Sequence, residues 1–268
     1  VWSYPWPSSN AIFVINPSTN QVIGNITVGF VPDGITYDPS NGYIYVMGIS
    51  FTCSFNATYV SYAVFVMNPS TNQIITNITV ESIPCGDPFY LLSHIYTTPW
   101  DIIYVPSNGY IYVLTDDSIF VINPSTNQII DRITVGFGLA SITYDPSNGY
   151  IYVVDFYSDI VYIINPLTNQ IIGNITVVTE PQQYALTDIV YDPSNGYIYV
   201  AAFRWLELDG VVFVINPSTN QVIGNITVGD EPAGIAYDPS NGYLYVANYE
   251  SGTISIIATT NESEEYLV

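Results

Sequence analysis

The chain has 268 residues, 49% of them hydrophobic and only 9% charged, against roughly a quarter charged in an ordinary soluble domain. Arg132 and Arg204 are the only strong bases against 23 acidic residues, a formal charge of −21. That excludes nucleic acid, whose phosphates need Lys/Arg for counterion release, and an anionic membrane surface. No run of about 18 apolar residues occurs, so no segment is read as spanning a membrane.

In chain order, residues 1–11 form an N-terminal arm carrying Trp2 and Trp6, starting at Val1 without a methionine, as a processed precursor or a piece of a longer protein would. Two strands are expected at 12–15 and 21–28, joined by the turn Asn16-Pro17-Ser18-Thr19-Asn20. The next segment reads Gly34-Ile35-Thr36-Tyr37-Asp38-Pro39-Ser40-Asn41-Gly42-Tyr43-Ile44-Tyr45-Val46. Its turn has a mechanism: Asp hydrogen-bonds its own backbone, Pro fixes φ, and Asn-Gly tolerates positive φ. The Asn-Pro turn returns at Asn68, Asn123, Asn165 and Asn216, and the second phrase around Pro106, Asp145, Asp192 and Asp238. A period of roughly 42–55 residues, four short β-branched and aromatic runs per period and no helical periodicity point to radially arranged four-stranded sheets. Strands apolar on both faces fit blades packed between blades, and most of the 25 tyrosines then serve blade-to-blade packing.

Tyr245-Val246-Ala247-Asn248, with the drifting copies Tyr45-Val46-Met47-Gly48, Tyr112-Val113-Leu114-Thr115, Tyr152-Val153-Val154-Asp155 and Tyr199-Val200-Ala201-Ala202, resembles the signature of the YVTN β-propeller repeats of archaeal surface-layer and cell-surface proteins. The resemblance covers nearly the whole chain. It implies an all-β, five-bladed β-propeller of four-stranded antiparallel blades, a single domain over residues 1–268. Inner strand pairs are expected at 34–47, 101–114, 139–154, 187–201 and 233–247. The N-terminal strands then close the ring on the last blade. Residues 253–257, within a C-terminal strand and tail at 249–268, are left as a surplus strand competing with 12–15 for one slot. A frayed tail or a longer parent chain explains the surplus; the alternative is strand exchange with a neighbouring copy, building a homopolymer, a surface layer or filament.

The repeats differ in insertions at 48–62, 81–100, 178–186 and 203–210, expected as loops on one face, where binding usually resides. Cys53 and Cys85 fall in two of them and are expected to form a disulfide, in keeping with an oxidising exterior. Trp100, Arg204, Trp205, Glu207, Phe89 and Tyr90 are the candidate binding-face residues, suited to sugar or protein recognition; the plainer reading is that the aromatics pin the insertions to the ring. Sequons occur at Asn25, Asn56, Asn77, Asn174, Asn225 and Asn261. Four of them share one position on the outermost strand, where the third repeat has Asp131. A glycan there would protect an exposed edge.

Catalysis finds little support in the residues. His94 is the sole histidine and sits in a loop, two cysteines do not make a zinc spacing, and Asp116-Asp117 and Asp155 with Asp159 read as turn aspartates. No catalytic or metal-ligating residue and no cofactor is therefore assigned, and the chain is expected not to be an enzyme. A surface structural or adhesion module, partnered by itself or by other surface proteins and glycans, comes first. A recognition propeller using its insertion face comes second, and a lactonase- or quinoprotein-like enzyme third. Near pH 2–3 protonated carboxylates would leave only a few positive charges, so an extracellular, acidic habitat is expected.

Overall fold

The computed structural model describes residues 10–54, 57–84, 101–178 and 184–259, and every described element is a β-strand or a turn. No helix among these residues is long and apolar enough to cross a membrane. Among the described residues twenty-one strands form six antiparallel sheets. A two-stranded sheet, β1 (Ala11–Asn16) and β2 (Gln21–Thr27), comes first. Four four-stranded sheets follow. The first holds β3 (Val31–Asp38), β4 (Tyr43–Ser54), β5 (Ala57–Asn68) and β6 (Gln73–Pro84). The second holds β7 (Asp101–Val105), β8 (Tyr110–Leu114), β9 (Ser118–Asn123) and β10 (Gln128–Thr134). The third comprises β11 (Leu139–Asp145), β12 (Tyr150–Asp155), β13 (Ile160–Asn165) and β14 (Gln170–Thr176), and the fourth β15 (Tyr184–Asp192), β16 (Tyr197–Arg204), β17 (Gly210–Asn216) and β18 (Gln221–Val228). A three-stranded sheet of β19 (Pro232–Asp238), β20 (Tyr243–Asn248) and β21 (Thr253–Ala258) ends the series. The all-β propeller architecture of repeated four-stranded blades is as the repeat predicts.

The turns are made by the residues expected to make them. Each Asn-Pro turn is an Asx turn: Oδ1 of Asn16, Asn68, Asn123, Asn165 and Asn216 accepts the amide two residues on, every time at 2.9 Å. In the inner hairpin, Oδ1 of Asp38, Asp145, Asp192 and Asp238 accepts both the amide and the hydroxyl of the following serine. The next Asn donates Nδ2 to a tyrosine hydroxyl, as Asn148 does to Tyr152 at 2.8 Å, which satisfies a polar tip otherwise stranded in the blade packing. Burial pushes the Tyr112 and Tyr152 hydroxyls up to about 12.

The core lies between blades. Phe213 and Ile215 of β17 share one buried cluster with Val161 and Ile163 of β13, while Val212 and Val214, on the other side of β17, pack with Leu244, Val246 and Ile257 of the last sheet. Every interior blade therefore presents a front to its predecessor and a back to its successor, both apolar, which is why its strands do not alternate hydrophobic with polar.

Three expectations need correcting. The N-terminal strands do not complete the last blade: among the described residues β1 pairs only with β2, and the third place beside β20 is taken by β21, the strand expected to be surplus. Residues 48–62 are not a loop, because β4 runs on to Ser54 and β5 starts at Ala57, giving a long hairpin. On the outermost strand, the third repeat's counterpart of Asn25 is Arg132, which faces Phe120 as Asn25 faces Phe13; Asp131 sits at the adjacent bulge.

Candidate functional site in the axial cleft

The innermost strands β3, β7, β11, β15 and β19 stand side by side around the hub. One position on each, just before an isoleucine, is equivalent along the strand. It is Gly34, Asp101, Ser141, Asp188 and Gly234 in turn. On the three middle strands these side chains meet. Ser141 Oγ lies 2.9 Å from Asp101 Oδ2 and 2.6 Å from Asp188 Oδ1. A serine hydroxyl has one hydrogen to donate, so it satisfies one carboxylate, and the other carboxyl must carry a proton to bond with the same oxygen. Burial acts in the same direction: it pushes Asp101 up to about 6, with the nearby Asp188 charge adding to it, and it raises Asp188 as well.

The two carboxyls also staple neighbouring blades. Asp101 accepts the amides of Ile102 on its own strand (2.7 Å) and Ile142 on the next (3.1 Å). Asp188 repeats the pattern with Ile189 (2.8 Å) and Ile235 (2.8 Å). These bonds make both carboxyls hub staples. Among the described residues no group of three or more His, Cys, Asp or Glu is placed to hold a metal ion.

Above the trio opens a cleft of about 610 Å³. Asp101, Asp188, Asp116 and Glu231 supply its carboxyls, and Phe156, Tyr157 and Phe203 its aromatic wall. Asp116, in the turn from β8 to β9, is raised to about 6 by burial first and then by the charges of Asp117 and Asp155. Asp155 is occupied as a turn residue, accepting the amides of Tyr157 (2.9 Å) and Ser158 (3.1 Å). Among the described residues no basic side chain lines the cleft.

Of the binding-face candidates, Trp205 backs this wall. Its ring stacks on Tyr157 at 5.9 Å and meets Phe156 edge-on at 5.2 Å and Phe203 at 5.8 Å. Arg204 and Glu207, in the same turn, pair with each other at 2.9 Å, and Arg204 also donates to the Tyr184 hydroxyl at 2.9 Å; neither lines the cleft. Phe89, Tyr90, Trp100, His94, Asn56, Asn261 and Cys85 lie outside the described residues, and with them the Cys53–Cys85 pairing. Asn25, Asn77, Asn174 and Asn225 are all exposed on outermost strands. Sequence reasoning missed Asp101, Ser141, Asp188 and Glu231. For the first three the available signal was the non-repeating letter before the hub isoleucine; Glu231, in the segment leading into β19, had none.

Residues 170–266 match the model of the lactonase family, a seven-bladed β-propeller. A solved structure of hydrazine synthase from Kuenenia stuttgartiensis is similar at 19% identity, with a TM-score of 0.70, over 94% of this chain and 71% of that one. No curated protein sequence matches the chain. These similarities agree on a β-propeller. The matched stretch supplies Asp188, Phe203 and Glu231 to the cleft. The expectation that the chain is not an enzyme is overturned by this match to an enzyme family of the same fold.

Proposed function

We propose that the axial cleft hydrolyses an uncharged cyclic ester, with Asp116 as general base. The observation that carries the reading is a carboxyl held at about 6, on the wall of a 610 Å³ cleft with an aromatic side. A base poised near the working pH is what water activation needs. Asp116 takes a proton from water as its oxygen attacks the acyl carbon. The ring C–O bond breaks, and the proton returns to the departing alkoxide, leaving a hydroxy acid. Phe156, Tyr157 and Phe203 bury the apolar part of the substrate. The surplus of carboxyls disfavours phosphorylated or carboxylated substrates. The lactonase-model match over 170–266 supports the same reaction class.

The test is hydrolysis of a panel of neutral five- and six-membered lactones, followed by base uptake. Activity should rise between pH 5 and 7 as Asp116 ionises. Asp116→Asn should lower kcat/KM by about 100-fold or more. No turnover above background, or an Asp116→Asn variant as active as the parent, sinks the reading.

A place outside the cell, on a surface of the YVTN type, forms the second part of the proposal. The exposed, register-matched Asn25, Asn77, Asn174 and Asn225 support it, as does the lysine-free, acidic composition. Peptide mapping of protein from its native source should find glycans on these asparagines; four unmodified peptides would remove this part.

A further inference from the structure

Residues 13–28 and 213–228 are the same sixteen letters, Phe-Val-Ile-Asn-Pro-Ser-Thr-Asn-Gln-Val-Ile-Gly-Asn-Ile-Thr-Val. They fold into the same hairpin, with Phe13 opposite Asn25 as Phe213 is opposite Asn225, and the same bulge after Val14 and Val214. Their surroundings differ. Phe213 and Ile215 are 7% and 0% exposed, seated on the back of the preceding blade beside Val161 and Ile163. Phe13 and Ile15 are 55% and 59% exposed.

The opposite end of the molecule shows the converse. Ile256 pairs with Tyr245 as Val214 pairs with Tyr199, so Ile254 and Ile256 occupy the back-facing places of Val212 and Val214. Val212 and Val214 are 0% and 8% exposed under the next blade, whereas Ile254 and Ile256 are 67% and 53% exposed. A bare front and a bare back thus lie at the two ends of one arc, and the residues of the bare front are those that cover a back inside the chain. Since both faces stay exposed, they do not cover each other within one molecule.

We propose that the β1–β2 hairpin of one copy docks on the back of the β19–β21 sheet of a second copy, continuing the blade stack from molecule to molecule. The contact is between unlike surfaces, so it repeats head to tail and gives a ring or an open filament rather than a two-fold dimer. The attraction is burial of Phe13, Ile15, Ile254 and Ile256. The −21 charge on each copy opposes it, so salt or acid strengthens assembly.

Sedimentation velocity and light scattering of the full chain at 0.5 M salt, over a hundredfold range of concentration, test this. The parent should grow beyond a dimer as concentration rises. Phe13→Asp and Ile256→Asp, each on an exposed position and checked for an unchanged far-ultraviolet spectrum, should each stay at the 29.6 kDa monomer. Mixed one to one, they should form a dimer and nothing larger, because each retains the face the other has lost. A parent that stays monomeric throughout, variants that assemble like the parent, or a mixture with no dimer overturns the proposal.

Discussion

The hairpins β1–β2 and β17–β18 compare one sequence in two settings. Phe213 is sealed between blades while Phe13 is 55% exposed, although the fifteen letters that follow each are the same. Backbone register and turn chemistry are carried by the local sequence and come out alike. Burial is conferred by the neighbour and does not. Stability in this fold therefore resides at blade contacts rather than in blades, as in other repeat architectures where each unit leans on the next.

The strongest way to break that comparison is truncation of the paired phenylalanines. Phe213→Ala removes a buried ring from the contact with Val161 and Ile163 and should cost about 3–5 kcal/mol. Phe13→Ala should cost less than about 1 kcal/mol in the monomer, because its ring has already kept half its contact with water. Urea unfolding of both variants measures the gap, and equal losses would show that burial at β17 contributes little beyond hairpin formation.

The hub sharpens the same contrast with charge. The middle strands carry Asp101, Ser141 and Asp188, and the flanking strands carry Gly34 and Gly234 at the equivalent positions. An acid whose folded value lies above its unfolded one binds more protons when folded. Its contribution is fully present below the usual value near 3.8 and is lost as pH rises through about 6. For Asp101 the loss is on the order of 3 kcal/mol at most. Melting temperature should thus be higher at pH 4 than at pH 7, and Asp101→Asn should flatten that difference. A parent equally stable at both pH values would mean that the trio holds no shared proton.

How far the sequence foretold this molecule follows from the same distinction. Strands, turns and blade period were legible because Asp38, Asn41 and Asn16 act on residues two to four positions away, and their hydrogen bonds are local. Ring closure was not, since β1 and β21 both satisfy the third-strand pattern and only three-dimensional placement decides between them. The cleft was half legible. Trp205 stood out by composition and does back the aromatic wall, whereas Asp101 and Asp188 are single letters 87 residues apart whose meeting at Ser141 depends on the curvature of the arc.

The finest test uses a second matched pair, Gly29 and Gly229, each following the shared hairpin. A Cβ on Gly29 would meet nothing within 4 Å, so Gly29→Ala should be neutral or stabilise by up to about 1 kcal/mol through a less flexible unfolded chain. A Cβ on Gly229 would lie 2.6 Å from Asn248 Nδ2 and 2.6 Å from Ser251 Oγ. Asn248 cannot simply turn away: it is buried and its amide already donates to Thr253 and Ser255, each at 3.0 Å. Gly229→Ala should therefore destabilise by about 1–3 kcal/mol, through the link between the fourth blade and the last sheet. Thermal melts of the two variants decide it. If Gly229→Ala is as harmless as Gly29→Ala, then Asn248 is not held where it lies, and the β19–β21 sheet is joined to the arc less tightly than the contact of Val212 and Val214 with Leu244 and Val246 implies.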